Sequence, residues 1–133
     1  VSQQLFLIYH QTDTEIMQRV RASLQSAGFT VWLDEYVTPG SAEWEQACED
    51  AIRHSAGCVV LLSPDSNGSP TVEWQLDRAR VAGLRIYPVI GRGDEWSAIP
   101  KAFIGTQIVD VRANHDARMQ RLIERIRSDL TAS

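Results

Sequence analysis

Short unbroken apolar runs alternate along this chain with longer stretches in which apolar residues recur every three or four positions. The first run, Leu5 to Tyr9 (LFLIY), predicts a buried strand. A polar loop follows, His10 to Thr14, in which Thr12 or Asp13 is the natural cap of a helix. Ile16, Val20 and Leu24, with Met17 and Ala27 beside them, form one face of that helix. Gln18, Arg19, Arg21 and Gln25 form the other, and Gly28 closes it. Phe29 to Leu33 (FTVWL) predicts the second strand. The loop Asp34 to Ser41 carries a Pro39-Gly40 turn. The second helix starts near Ser41, with Glu43 and Glu45 complementing its positive end. Its apolar stripe is Trp44, Ala47, Cys48, Ala51 and Ile52.

Cys58 to Leu62 (CVVLL) is apolar throughout, as a central strand covered on both faces would be. A polar loop, Ser63 to Pro70, leads to a third helix over Thr71 to Ala82, stopped by Gly83. Arg85 to Ile90 predicts a fourth strand. Pro88 removes a ladder donor there, so this strand is expected to be irregular or near an edge. Gly91 to Gly105 is loop-rich, with one short helix around Trp96 to Phe103. Gln107 to Val111 predicts a fifth strand, and a last helix from Asn114 to Leu130 turns Met119, Leu122, Ile123, Ile126 and Leu130 inward. Alternating strands and helices imply right-handed βαβ units and a parallel sheet. The predicted fold class is α/β: a flavodoxin-like, doubly wound five-stranded parallel sheet of order 2-1-3-4-5 with helices on both faces. Ligands of such sheets bind beyond the carboxyl ends of the strands, which places the loop Ser63 to Pro70 and the helix behind it at the expected site.

Composition narrows the function classes. The 133 residues suit a single domain, and 44% hydrophobic with 23% charged residues is ordinary for a globular one. The net charge of −4 and the scattered arginines leave no basic face for a phosphate backbone, so no direct nucleic-acid partner is expected. No apolar run approaches the ~20 residues of a membrane span, and no signal peptide is visible, so no membrane partner is expected either. Cys48 and Cys58 lack metal-ligand spacing and read as small core residues in a reducing, cytoplasmic setting. A start at Val1 and a short polar tail suggest a domain excised from a larger multidomain protein.

Several chemistries fail on their motifs. Gly91-Arg92-Gly93 lacks the third glycine of a dinucleotide fingerprint and follows a late strand rather than the first. No Walker loop is present. A phosphorylation receiver would need an acidic pair where Tyr9 and His10 stand. A flavodoxin-type phosphate loop would need Gly within His10 to Thr14. Ser63-Pro64-Asp65 is not a nucleophile elbow. His54 reads as a cap or solvated residue near the end of the second helix, and His115 as a surface residue.

Four stretches in order carry something more specific. They are Phe6-Leu7-Ile8-Tyr9, Gly28-Phe29-Thr30-Val31-Trp32-Leu33-Asp34, Pro39-Gly40 leading to Trp44, and Val60-Leu61-Leu62-Ser63-Pro64-Asp65-Ser66. Together they resemble a Toll/interleukin-1 receptor (TIR) domain of the bacterial, NAD-cleaving type, from Leu5 to about Leu130. The first strand departs from the family's Phe-Ile-Ser-Tyr-Ser form: Ile8 and His10 replace the two serines.

The resemblance implies an effector or signalling domain of the NAD+ glycohydrolase type, cleaving the nicotinamide–ribose bond of its substrate NAD+, with no further cofactor and no metal. That reaction wants a carboxylate beside the ribose to stabilise oxocarbenium-like charge and an aromatic surface for a base. The family pattern Ser-x-Trp-Val-x-x-Glu-Leu-x-x-Ala lies on Ser69, Thr71, Val72, Gln75, Leu76 and Ala79, so Gln75 takes the catalytic Glu position. Helical spacing puts Val72, Leu76, Ala79 and Gly83 on the packed stripe, with Gln75 at its border and Glu73, the fallback carboxylate, farther from its centre. The chain as written is therefore expected to be inactive or strongly impaired. The Gln fits a natural non-catalytic module or a knockout of an NAD-consuming effector, and the intact pattern around it favours the second. Tyr9, His10, Asp34, Trp44, Ser69 and Thr71 are the substrate-binding candidates, and Trp44 serves equally well as a core residue. Self-association is expected through the loop Glu35, Tyr36, Val37, Thr38, Pro39, Gly40 and Ser41, triggered by a fused or partner sensor domain. The alternative is a non-catalytic scaffold that acts by self-association alone.

Overall fold

The computed structural model describes residues 3–34 and 39–131. Its five strands are β1 (Gln4–Ile8), β2 (Thr30–Trp32), β3 (Gly57–Leu62), β4 (Ile86–Ile90) and β5 (Val109–Asp110), all parallel, in the order β2-β1-β3-β4-β5. The helices are α1 (Thr14–Ser26), α2 (Ala42–Arg53), α3 (Pro70–Val81), α4 (Glu95–Ala98) and α5 (His115–Thr131). Successive strand residues point to opposite faces. Leu5, Leu7, Val59, Leu61, Tyr87 and Val89 therefore pack under α1 and α5. Phe6, Ile8, Cys58, Val60, Leu62 and Ile90 pack under α2 and α3. Both faces being covered, β3 is buried at every position, which is why its sequence shows no alternation. Among the described residues no helix is long and apolar enough to cross a membrane.

The boundaries shift where local chemistry decides them. Ser69 accepts a hydrogen bond from the Val72 amide, and Pro70 fits the first helical position, so α3 starts one residue earlier than its pattern suggests. The single helix expected over Trp96 to Phe103 is two pieces, α4 and a 3₁₀ turn over Lys101–Phe103. Pro100 drives the preceding Ile99 into an extended conformation and breaks the run. Phe29 donates its amide to the Leu24 carbonyl and so belongs to the exit from α1, not to β2.

Pro88 lies inside β4, opposite Val60, yet costs the sheet nothing. The bonds from Cys58 to Arg85 and from Gly91 to Leu62 put the odd positions of β4 against β3. Pro88 therefore faces the other flank, where β5 pairs only with Val89 and Ile90 and does not reach it.

His115 is not the surface residue expected. It opens α5 but is only 8% exposed, and neither ring nitrogen has a hydrogen-bond partner among the described residues. Burial, first, and the Arg19 charge on α1 hold its pKa below the ordinary 6.5. The unfolded chain takes up a proton more readily than the folded one. Stability is thus fully present above 6.5 and is lost as pH falls below it towards the folded value. His115→Phe should remove this part of the acid sensitivity. Denaturant unfolding of both proteins above and below that pH measures it, and identical pH dependence would refute the assignment.

Candidate functional site

Strand order reverses between β1 and β3, so the crevice of this sheet lies beyond Ile8 and Leu62. Two side-chain clusters flank it, one on each face of the sheet.

The first is the seam between α2 and α3. Ser41 caps α2 by accepting from the Trp44 amide at 3.1 Å. Trp44 is fully buried. Its indole N–H donates to Asp34 Oδ2 at 2.7 Å, and its ring tilts on Trp74 with centroids 4.9 Å apart. One turn along α2, Cys48 accepts a weak bond from Gln75 Nε2 at 3.5 Å. Another contact continues the seam: the Arg78 guanidinium lies 5.5 Å over the Trp74 ring and 3.9 Å from Glu49. Burial pushes the Cys48 thiol up to about 12, against the opposing Gln75 bond, so it is neutral and no nucleophile. Gln75 itself is 2% exposed. Glu73 points elsewhere: it is exposed, on the rim of a cleft of ≈ 220 Å³ between α3 and the Lys101–Phe103 turn, beside Asp77 and Arg80.

The second cluster laces the crevice from the α1 side. Asp13 stands at the start of α1 but makes no cap bond. Its buried carboxylate instead accepts from Ser63 Oγ at 2.5 Å and Arg92 Nε at 2.5 Å. Arg92 Nη2 reaches Asp65 and, at 3.2 Å, Thr12 Oγ1. Thr12 Oγ1 also donates to Asp65 Oδ2 at 2.9 Å, and His10 Nδ1 lies 2.9 Å from that hydroxyl. The Arg92 bond is the main cause holding Asp65 below the usual carboxylate range. Sequence reasoning missed Arg92 and the role of Asp13; the only signal was a lone Arg between two glycines after a strand.

Those glycines have steric reasons. A Cβ on Gly93 would sit 2.5 Å from Pro64 Cδ and Cγ, at a φ of +82° that favours glycine. A Cβ on Gly91 would press Ile16 and Leu61 at 3.0 Å. Gly93→Ala should therefore push the loop after β4 off the loop after β3 and destabilise the fold by about 1–3 kcal/mol. Chemical denaturation reads this, and a variant as stable as the parent would overturn it.

The other candidates are placed as follows. Tyr9 and His10 are half-buried at the end of β1, Tyr9 packing on the α1–α5 core. Asp34 and Trp44 meet in the α2–α3 seam. Ser69 caps α3, and its hydroxyl lies 3.1 Å from that of Thr71. Pro39 and Gly40 are exposed, and Ser41 is the α2 cap. Glu35, Tyr36, Val37 and Thr38 lie outside the described residues. Among the described residues, no three His, Cys, Asp or Glu side chains converge as metal ligands.

Comparison with known proteins gives the fold its family. The TIR domain, Toll-related receptor TRR-2 of Hydra magnipapillata, superposes with a TM-score of 0.74 at 22% identity, over 92% of this chain and 97% of that one. The TIR domains of the activated Roq1 resistosome give 0.64 at 16%, over 97% and 99%. Clostridium botulinum CMP N-glycosidase BcmB gives 0.63 at 14%, over 90% and 97%. At these identities the likeness is one of fold. No curated protein sequence matches the chain. The family model for the TIR domain matches residues 5–123, nearly the whole described sheet and its helices, and the chain belongs to the TIR domain family.

Proposed function

We propose that this chain is a TIR effector domain of the NAD+-cleaving type whose carboxylate position is held by Gln75, so that as written it binds NAD+-like ligands weakly and turns them over poorly. The observation that carries the reading is the place of Gln75. It is buried on the inward face of α3 with Val72, Leu76 and Ala79 and faces α2, with Trp74 tilted on Trp44 and the Trp44 indole pinned by Asp34. An aromatic wall, an acid and a polar residue at the family's Glu position thus share one seam. Folds of this kind support N-glycosidic chemistry elsewhere, as the CMP N-glycosidase likeness illustrates. In the reaction, the bond from ribose C1′ to the nicotinamide nitrogen breaks, its electron pair leaves with nicotinamide, and water takes its place at C1′. A carboxylate stabilises the positive charge developing on the ribose ring; an amide does so poorly.

Gln75 is sealed from solvent, so a ligand reaches it only when the α2–α3 seam opens. Activation by self-association, in the cytoplasm and under a fused or partner sensor in a bacterial immune setting, would supply that movement. The Roq1 relative is itself a resistosome. The buried amide also favours a second reading, in which Gln75 is a packing residue of a non-catalytic scaffold. Gln75→Glu, assayed for nicotinamide release in an assembled sample, separates the two.

A further inference from the structure

Gly91-Arg92-Gly93 is the sequence feature that the proposed reaction leaves without a role, and the crevice rim is where it lands. Three loops meet at the carboxyl edge of the sheet, after β1, β3 and β4. Arg92 joins all three. Its Nε is anchored on Asp13, whose side chain is fully buried, while its own side chain is 37% exposed. Its Nη2 reaches outward to Asp65 and Thr12. Asp13 passes the restraint inward through Ser63, whose amide bonds Ser66 Oγ at 2.9 Å. The Ser66 carbonyl takes the amide of Ser69, the cap of α3, at 3.2 Å. The glycines let this happen: no side chain fits between Gly93 and Pro64. The planar fork serves Asp13 from Nε and Asp65 and Thr12 from Nη2; an ammonium has three donors but only one nitrogen, which cannot stand in both places.

We propose that Arg92 is a positioning residue of the ligand crevice, tying the loop after β1, with His10, to the loop after β3 and hence to the start of α3, which carries Gln75. This rests on the reading of that crevice as a nucleotide site. Arg92→Met would strip the partner from a buried carboxylate and risks unfolding, so Arg92→Lys and Asp65→Asn are the informative variants. Each is made in the full chain, alone and with Gln75→Glu. Amide hydrogen exchange should quicken in residues 9–13 and 63–69, with β1 and β3 still protected. With Gln75→Glu present, kcat for nicotinamide release should fall about tenfold while KM changes little, the signature of misplacement rather than lost affinity. Unchanged exchange in both loops would overturn the proposal. So would loosened loops with unchanged kcat, or faster exchange spread over the whole chain, which would mark a merely structural role. If Gln75→Glu alone shows no turnover, the enzyme reading fails on its own account, and the loop exchange still decides whether Arg92 ties the rim.

Discussion

Gln75→Glu should raise nicotinamide release from NAD+ by about a hundredfold or more over the chain as written, the usual scale for one group that stabilises transition-state charge. The two side chains are nearly the same shape, so the substitution tests charge and little else. It loses only a weak N–H donor to the Cys48 sulfur. The place is dry, however, with Gln75 2% exposed and Trp44 and Cys48 fully buried beside it. Burial favours the protonated acid, so the new carboxyl should titrate above the ordinary range for Glu. Activity should accordingly rise with pH through that raised value, and the variant should be less stable than the parent at neutral pH. The assay belongs at high protein concentration or with an activator fused to the chain. A folded, assembled Gln75→Glu sample without turnover would leave the scaffold reading standing. If the unmodified chain turns over and Glu73→Ala abolishes it, the working carboxylate is Glu73, on the far side of α3.

Much of the fold was legible in the sequence, for a physical reason that also marks the limit. Unbroken apolar runs reveal strands covered on both faces, and the 3.6 period reveals which helix face packs. Both are local signals. They placed β3 and the inward face of α5, but they set Gln75 at the border of α3's stripe, whereas it is buried with Val72, Leu76 and Ala79 because α2 covers that side of the helix. What they cannot register is a partner far along the chain. Asp13 obeys the local rule for a helix cap, but Arg92, 79 residues later, claims its carboxylate. His115 is a polar residue at a helix start and reads as surface until α1 covers it. The fifth strand is shorter than the stretch Gln107 to Val111 predicts: Val109 and Asp110 pair with β4 and Val111 adds its amide to the Ile90 carbonyl, whereas Gln107 and Ile108 look strand-like but lie outside β5. The α2–α3 seam was half legible: each helix showed its stripe, but the pairing of Trp44 with Trp74 depends on how the helices cross.

Trp44→Ala should cost about 3–5 kcal/mol, the range for emptying a buried aromatic site, and lower the melting temperature on the order of 10 °C or more. Trp44 is among the largest fully buried side chains of the chain. Its removal takes away packing under α2, the stack on Trp74 and the anchor of Asp34 together. Trp44→Phe separates these roles. Phenylalanine keeps most of the apolar contact and can still tilt against Trp74, but it cannot donate to Asp34. The loss should then be about 1–3 kcal/mol, the scale of a hydrogen bond to a charged acceptor plus modest repacking. Denaturant titrations of the three proteins give the comparison, and a Trp44→Ala protein within 1 kcal/mol of the parent, roughly the scale of an ordinary surface change, would show that the site collapses around the gap. The same pair of variants bears on the ligand question. If Trp44 serves only the core, Trp44→Phe in the Gln75→Glu background should keep its KM for NAD+. If the indole also forms the wall on which a base stacks once Trp74 swings away, KM should rise severalfold, beyond what the stability loss explains.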